Sequence, residues 1–505
     1  MPTPVLAAID IGSNAIRFVA GSIDQAGKLQ VSATAREPVR LGEEVFTTGT
    51  ISKPLAERAI QALAKFSEMA RDSRAVKLRA VATSALREAE NQEKFIDEAR
   101  KKAGVEIEVI DGTEEARLIH LAVRDRIPLG KGTALLMDIG GGSVEVSIVY
   151  EDSVVFSDSI KAGAVRLLQF LNDKGSAVKV LQRFLKQYTY GVFQEMERER
   201  KLHPVTKFVG TGGNIESLGL LRTSLLGKSA SNILKLDELG TIIEQLTSLT
   251  VPERIARLKL RPDRADVIVP ASVLLQLVAT NAGVNEILIP GVGLREGVLL
   301  SMAAELGEPS PGQVPAQPAA YALELGRRLN FDELHGVTVA RHADELFEQT
   351  RPRHSLSNEY GLLLRLAALL HDVGQVISMS GHHKHSFYII KTSPFMGLSK
   401  RQKHIVATVA RYHRKAPPSI KHEAFAQLEP SDREPVRVLC ALVRVADALD
   451  REHAARVRSF RISFKGKEAQ LKLDGDGDLM LERWAVRKKC DLFEEIFLTK
   501  LSIKD

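Results

Sequence analysis

One short stretch of this 505-residue chain concentrates residues that could do phosphate chemistry: Asp138-Ile139-Gly140-Gly141-Gly142-Ser143-Val144-Glu145. Ionised Asp138 and Glu145 only accept hydrogen bonds, so they suit a hard cation such as Mg²⁺. Between them, three glycines allow a tight turn with no side chain in the way. Successive backbone N–H groups in such a turn form an anion-binding concavity. Taken alone, the stretch is also compatible with a glycine-rich hairpin and solvated acids. A second copy, Asp10-Ile11-Gly12-Ser13-Asn14, lies one domain length earlier and follows the same apolar run. Two such copies rarely arise by chance. Gly210-Thr211-Gly212-Gly213-Asn214 is a further glycine turn, whose Gly212 and Gly213 amides could meet a ligand from across a cleft. Arg87 ends the run Thr83-Ser84-Ala85-Leu86-Arg87, either near a phosphate or simply at the surface. Glu114 and Glu115 open a helix after Gly112, where acids are also common because they suit the helix dipole.

These residues need strands to present them. Val5 to Ile23 reads as strand, polar turn, strand, and Gln30 to Glu37 as a third strand. Pro54 to Ser73 is an amphipathic helix opened by Ser52 and an early proline. A short strand (Leu78 to Ala82), a helix (Asn91 to Ala103) and a strand (Glu106 to Ile110) complete one α/β lobe. The second lobe starts near Lys131, with strands at Ala134–Ile139, Ser143–Tyr150 and Val154–Lys161 and helices from about Ala164 and Ser176. Ala265 to Ala282 is a strongly apolar helix, and Glu286–Pro290 a strand before the closing helix.

With 44% hydrophobic and 26% charged residues, the chain is composed like ordinary soluble proteins. It shows neither an apolar run of membrane-spanning length nor a basic-then-apolar leader. Two cysteines, Cys440 and Cys490, exclude a disulfide framework and fit a reducing cytoplasm. A net charge of +7 favours an anionic ligand. Nucleic acid is not expected, because no recognition motif is present and aromatics make up only 5% of residues.

The ordered set Asp10-Ile11-Gly12-Ser13-Asn14, Ala85-Leu86-Arg87, Glu114-Glu115-Ala116-Arg117, Asp138 to Ser143, Gly210 to Asn214 and Leu294-Arg295-Glu296-Gly297 resembles the exopolyphosphatase / guanosine pentaphosphate phosphohydrolase (Ppx/GppA) family. The resemblance implies a two-lobed α/β fold of the actin/sugar kinase/Hsp70 type, with duplicated ribonuclease-H-like lobes at residues 1–127 and 128–306. It implies Mg²⁺-dependent removal of the terminal phosphate from inorganic polyphosphate, or from pppGpp to give ppGpp, by a cytoplasmic homodimer acting in the stringent response. It makes Glu115 the base for the attacking water, and Asp138 and Glu145 the acids around metal and water. Ser13, Asn14, Arg87, Gly140, Gly141, Gly142 and Ser143 would contact phosphate, with Gly212 and Gly213 facing them. Val144 stands where that family often has threonine, with little effect expected. The chemistry is coherent on its own terms: phosphoanhydride hydrolysis needs a held phosphate, neutralised charge and a positioned water.

Gly307 to Pro318 is a proline-rich linker. Beyond it, residues 319–457 read as helical. His342 on one helix, His371-Asp372 after an apolar helix, and Asp447 near the end of another resemble the ligand set of the HD phosphohydrolase superfamily. Imidazole and carboxylate together suit Mn²⁺ or iron, and His385 and His413 would extend the site to a second metal. Such a domain is either a separate metal-dependent phosphohydrolase or phosphodiesterase, or a scaffold lending Lys384, Arg414 and Lys415 to a polyphosphate path. The tail, 458–505, reads as strands Phe460–Phe464, Ala469–Leu473 and Leu479–Glu482, with Asp474 to Asp478 as a hairpin turn rather than a calcium loop. Gly227-Lys228-Ser229 is not a P-loop, because Arg222 stands where the first glycine is required.

Overall fold

The run Leu6–Ile11 is buried along its whole length, as a central strand covered on both faces must be. A computed structural model describes residues 3–130, 132–174, 178–202, 204–228, 231–306, 317–393, 395 and 397–504. The chain divides into two compact units, Met1–Val314 and Pro315–Asp505. Of the proline-rich stretch, Gly307–Ala316 lies outside the described residues, as do Lys131, Ser176 and Ser229.

In the first unit, β1 (Leu6–Ile11), β2 (Ile16–Ile23), β3 (Leu29–Glu37), β4 (Lys77–Ala82) and β5 (Ile107–Val109) form a sheet in the order β3-β2-β1-β4-β5. The second sheet contains β6 (Thr133–Ile139), β7 (Val144–Tyr150), β8 (Ser153–Ile160), β9 (Val205–Thr211), β10 (Ile233–Lys235) and β11 (Glu286–Leu288). Its order is β10-β11-β9-β6-β7-β8, which repeats the first sheet once the edge strand β10 is set aside. The duplication read from Asp-Ile-Gly is therefore a duplication of topology. Each lobe has its own apolar core, around Ile9, Phe18 and Phe66 in the first and Met137, Ile148 and Phe208 in the second. Burial of this kind contributes roughly 25 cal/mol per Å².

Register then fixes chemistry. The β6–β7 hairpin sets Asp138 directly opposite Glu145, and the parallel β6–β9 pairing sets Asp138 beside Thr211. Facing residues on antiparallel strands share a face of the sheet. The helix Gly112–Arg126 carries Glu115 in its first turn, and Asp111 caps it by accepting from Glu114 N at 3.0 Å.

The second unit is mainly helical, with long helices at Glu333–His354, Asn358–Leu370, Lys400–Arg411 and Pro430–Ala448. Its small sheet consists of β12 (Val457–Lys465), β13 (Glu468–Gly475) and β14 (Lys500–Lys504). Two expectations for the tail fail. Leu479–Glu482 is not a strand but the start of the helix Met480–Lys489, whose buried residues Glu482, Ala485 and Val486 follow a helical period. Asp474 to Asp478 is therefore a strand-to-helix turn, and the third strand is β14, parallel to β13. Among the described residues, no helix is long and apolar enough to cross a membrane.

Candidate active site and a histidine-rich cluster

The site is built on the two hairpins. Carboxylate oxygens of Glu115, Asp138 and Glu145 converge within 4.8 Å of one another. Thr211 Oγ1 donates to Asp138 Oδ1 at 2.6 Å, and Ser159 Oγ donates to Glu145 Oε1 at 2.9 Å. Glu115 Oε2 and Glu145 Oε2 are buried with no hydrogen-bond partner among the described residues. Burial pushes the Asp138 carboxyl up to about 6, with the Thr211 bond pulling the other way. Burial and the neighbouring Asp138 push Glu145 up to about 7. Glu115 is raised well above the usual carboxylate range by burial and by Glu145, with Arg87 opposing. Three clustered acids, two of them with an unpartnered buried oxygen, are a poor arrangement by themselves and a good one around a divalent cation.

The glycine turn is held from behind. The carbonyls of Gly140, Gly141 and Gly142 accept from the backbone N–H groups of Ala164 (3.0 Å), Val165 (2.8 Å) and Gly163 (3.2 Å). In a planar trans peptide the next N–H points opposite the carbonyl. The N–H groups of Gly141, Gly142 and Ser143 thereby point away from the amides that hold these carbonyls, in a turn that lines the cavity together with Ala164 and Val165. Gly163 makes this possible, since a Cβ there would lie 2.4 Å from the Gly141 carbonyl carbon.

The cavity, about 70 Å³, is also lined by Asp10, Ser13, Asn14, Gly212, Gly213 and three arginines, Arg17, Arg264 and Arg295. Arg264 is 3% exposed, and its Nε and Nη2 have no hydrogen-bond partner among the described residues. Asn14 Nδ2 donates to the Asp263 carbonyl at 2.8 Å, and its Oδ1 has no partner among the described residues. Of the expected residues, Ser13, Asn14, Glu115, Asp138, the Gly140–Ser143 turn, Gly212 and Gly213 line this cavity. Glu145 sits behind, buried against Ser159. Arg87 is beside Glu115: its Nη1 donates to the Ile110 carbonyl at 2.6 Å and lies 3.9 Å from Glu115 Oε2.

Sequence reasoning missed Ser159, Gly163, Arg17 and Arg264. Arg17 was findable, because it stands opposite Asp10 in the first hairpin. Nothing in the local sequence around Ser159 or Gly163 signals the packing that gives them their roles.

The second unit holds a separate cluster. Three overlapping ligand groups occur: His335, His371 and Asp372; His371, His413 and Asp447; and Asp372, His382 and His413. His342 belongs to none of them. It lies two helical turns beyond His335, roughly 10 Å further along the axis, with its ring 5.7 Å from that of Phe460. His385 likewise stays out, and His382, one turn earlier on the same helix, takes its place.

The tautomers follow from the acceptors. The Nδ1 atoms of His371, His382 and His413 face the carbonyls of Ala368, Met379 and Ala410 at 2.7, 3.0 and 2.7 Å, so each Nδ1–H donates. Each Nε2 then carries a lone pair. Yet His382 Nε2 and His413 Nε2 are 3.2 Å apart, and Asp372 Oδ1 is 3.0 Å from the first and 3.4 Å from the second. Arg414 Nη1 comes within 3.2 Å of His382 Nε2 and supplies a donor there, whereas His371 Nε2 and Asp372 Oδ1 have no hydrogen-bond partner among the described residues, so the pocket stays rich in acceptors and suits a cation. Burial keeps His371 and His413 below the usual imidazole range, in the neutral, ligating form. Asp447 Oδ2 accepts from Lys489, and an adjoining cavity of about 500 Å³ is walled by Arg414, Lys415, Arg451 and Trp484.

Residues 20–306 match the model of the Ppx/GppA phosphatase family, and residues 320–492 match Ppx/GppA phosphatase, domain III. A guanosine-5'-triphosphate,3'-diphosphate pyrophosphatase of Aeromonas hydrophila is 28% identical over 410 residues, covering 81% of this chain and 80% of that protein. One from Vibrio cholerae is 26% identical over 504 residues, 97% and 95% of the two chains. Among solved structures, an exopolyphosphatase from Cytophaga hutchinsonii superposes with a TM-score of 0.55 at 26% identity, covering 60% of this chain and 98% of that one. The Aquifex aeolicus family member gives 0.52 at 25% identity, over 61% and 100%.

Proposed function

The chain belongs to the Ppx/GppA phosphatase family, and we propose from this that it hydrolyses the terminal phosphoanhydride of inorganic polyphosphate and of pppGpp. The observation that carries the reading is the convergence of Glu115, Asp138 and Glu145 within 4.8 Å beside a glycine turn that lines the cavity. The amides of Gly141, Gly142 and Ser143 hold the terminal phosphoryl oxygens. Glu115, its carboxyl raised by burial and by Glu145, takes the proton of the attacking water. Asp138 and Glu145 would hold a divalent cation, Mg²⁺ in this reading, which would neutralise charge on the transferring phosphoryl group. Arg17 and Arg295 at the cavity wall draw in the following phosphates. The test is phosphate release from long-chain polyphosphate and from pppGpp, with Mg²⁺ and with Mn²⁺, in wild type and Glu115→Gln. Homodimerisation and cytoplasmic residence belong to the same reading, and light scattering checks the first.

A specific observation favours a second reading for the helical unit. The lone-pair convergence of His382, His413 and Asp372 next to His371, His335 and Asp447 supports an HD-type metal site, with Mn²⁺ or iron as the fitting ions. His335 replaces His342 in that ligand set. Its Nδ1 lies 2.8 Å from Asp450, which orients Nε2 toward the cluster. Mn²⁺ titration of wild type against a His371→Ala, Asp372→Ala double variant tests it, and phosphodiesterase activity surviving Glu115→Ala would make the site catalytic.

A further inference from the structure

We infer that Arg166 is a positioning residue that couples the phosphate-binding turn to closure of the two lobes. This rests on the phosphohydrolase reading above. Arg166 lies in the first turn of the helix Ala164–Lys174, the element that holds the carbonyls of the glycine turn. Its Nε donates to the Gly142 carbonyl at 2.8 Å, alongside the Gly163 N–H. Its Nη2 crosses to the first lobe and donates to Glu88 Oε2 at 2.6 Å. Its guanidinium carbon stands 3.6 Å above the ring of Phe46, also in the first lobe. One side chain thus makes a charged hydrogen bond, a cation–π contact and a loop hydrogen bond at once, a use suited to the planar fork of arginine.

Both partners sit where closure is felt. Glu88 ends the short helix Ser84–Glu88, next to Arg87, which faces Glu115. Phe46 and Ser84 press on the turn itself: a Cβ on Gly142 would lie 2.3 Å from each of them. Gln169, one turn further along the same helix, continues the seam by donating to the Glu43 carbonyl at 3.1 Å and to Thr47 Oγ1 at 3.0 Å. Arg166 touches neither the carboxylate triad nor, on this geometry, the substrate. It fixes where the Ser143 amide points, relative to Glu115 on the opposite lobe. Amides of this kind act on charge that develops in the transition state, so losing their alignment lowers kcat more than it raises KM.

The experiment compares wild type, Arg166→Ala, Arg166→Lys, Glu88→Gln and the double variant Arg166→Ala, Glu88→Gln. Steady-state kinetics are read on pppGpp. Spin labels at Asp97→Cys and Lys186→Cys report the inter-lobe distance distribution in each background. The native cysteines, Cys440 and Cys490, are buried. Arg166→Ala is expected to lower kcat at least tenfold with KM within threefold, and to broaden the distance distribution. Lysine should recover part of kcat. Glu88→Gln should cost much less in the Arg166→Ala background than alone. An unchanged distance distribution in Arg166→Ala, or a KM change at constant kcat, overturns the inference. If wild type hydrolyses no phosphoanhydride, the functional reading fails instead, and the distance distributions still decide whether Arg166 holds the lobes together.

Discussion

Asp138 and Glu145 are direct cross-strand partners, and each is held by a hydroxyl from a neighbouring strand: Thr211 on β9 for the first, Ser159 on β8 for the second. Their pairing places two acids on one face of a hairpin, against which the first turn of the Glu115 helix closes. The cluster is thus assembled from two lobes, and its charge, its metal affinity and its pH response are linked.

Removing the Thr211 hydroxyl should move the acid limb of activity. A donor to an ionised carboxylate keeps its pKa down, so Thr211→Val raises Asp138 further above its present value near 6. The cation-binding form then needs a higher pH. The acid limb of kcat/KM is expected to shift upward by about one pH unit, on the order of 1.4 kcal/mol. A pH–rate profile with saturating Mg²⁺ measures it.

Metal-free stability should fall as pH rises. The folded-state values of Asp138 and Glu145 lie above their unfolded values of 3.8 and 4.5. Their stability contribution is complete below those unfolded values and is lost as pH climbs through about 6 and about 7. With EDTA, the Tm of the first unit is therefore expected to be higher at pH 5.5 than at pH 8. Added Mg²⁺ should raise Tm more at pH 8, where the acids are charged. Equal Mg²⁺ shifts at both pH values would count against the cluster as a cation site.

Gly163→Ala is expected to abolish most activity while leaving a folded protein. The new methyl would meet the Gly141 backbone and push the glycine turn out of register. Overpacking of this kind costs roughly 1–3 kcal/mol, within the reserve of a domain this size. Circular dichroism separates a folded, inactive variant from an unfolded one.

His335 and His342 should behave oppositely. His335→Ala is expected to lose Mn²⁺ binding in the helical unit, and His342→Leu to keep it, as isothermal titration would show. Burial pushes the His342 imidazole down to about 4. The unfolded chain therefore takes up more protons below about 6.5, and stability falls as pH drops from 6.5 toward 4. His342→Leu should flatten that part of the acid-unfolding curve.

The hairpins were legible because their chemistry is contiguous: Asp, glycine turn and strand sit in one line of sequence, and the copy at Asp10 removes chance. Glu115 was legible only through the family resemblance, since acids open many helices for the dipole alone. The first-turn position that explains them equally well structurally gives no hint of Glu145 across the cleft. His342 was named through the HD resemblance, and His335, seven residues or two turns earlier, shares its helix face but is the one that reaches the cluster. Periodicity fixes the face and not the height. The helix Met480–Lys489 was misread because its opening residues, Leu479 to Glu482, are too few to distinguish the periods.

The most direct measurement is phosphate release from long-chain polyphosphate and pppGpp by wild type and Glu115→Gln, with Mg²⁺. Wild type is expected to hydrolyse at least one of them, and kcat of the variant to fall by about 10²–10⁴-fold, with KM little changed. Glu115→Gln turning over at the wild-type rate would contradict the role assigned to Glu115.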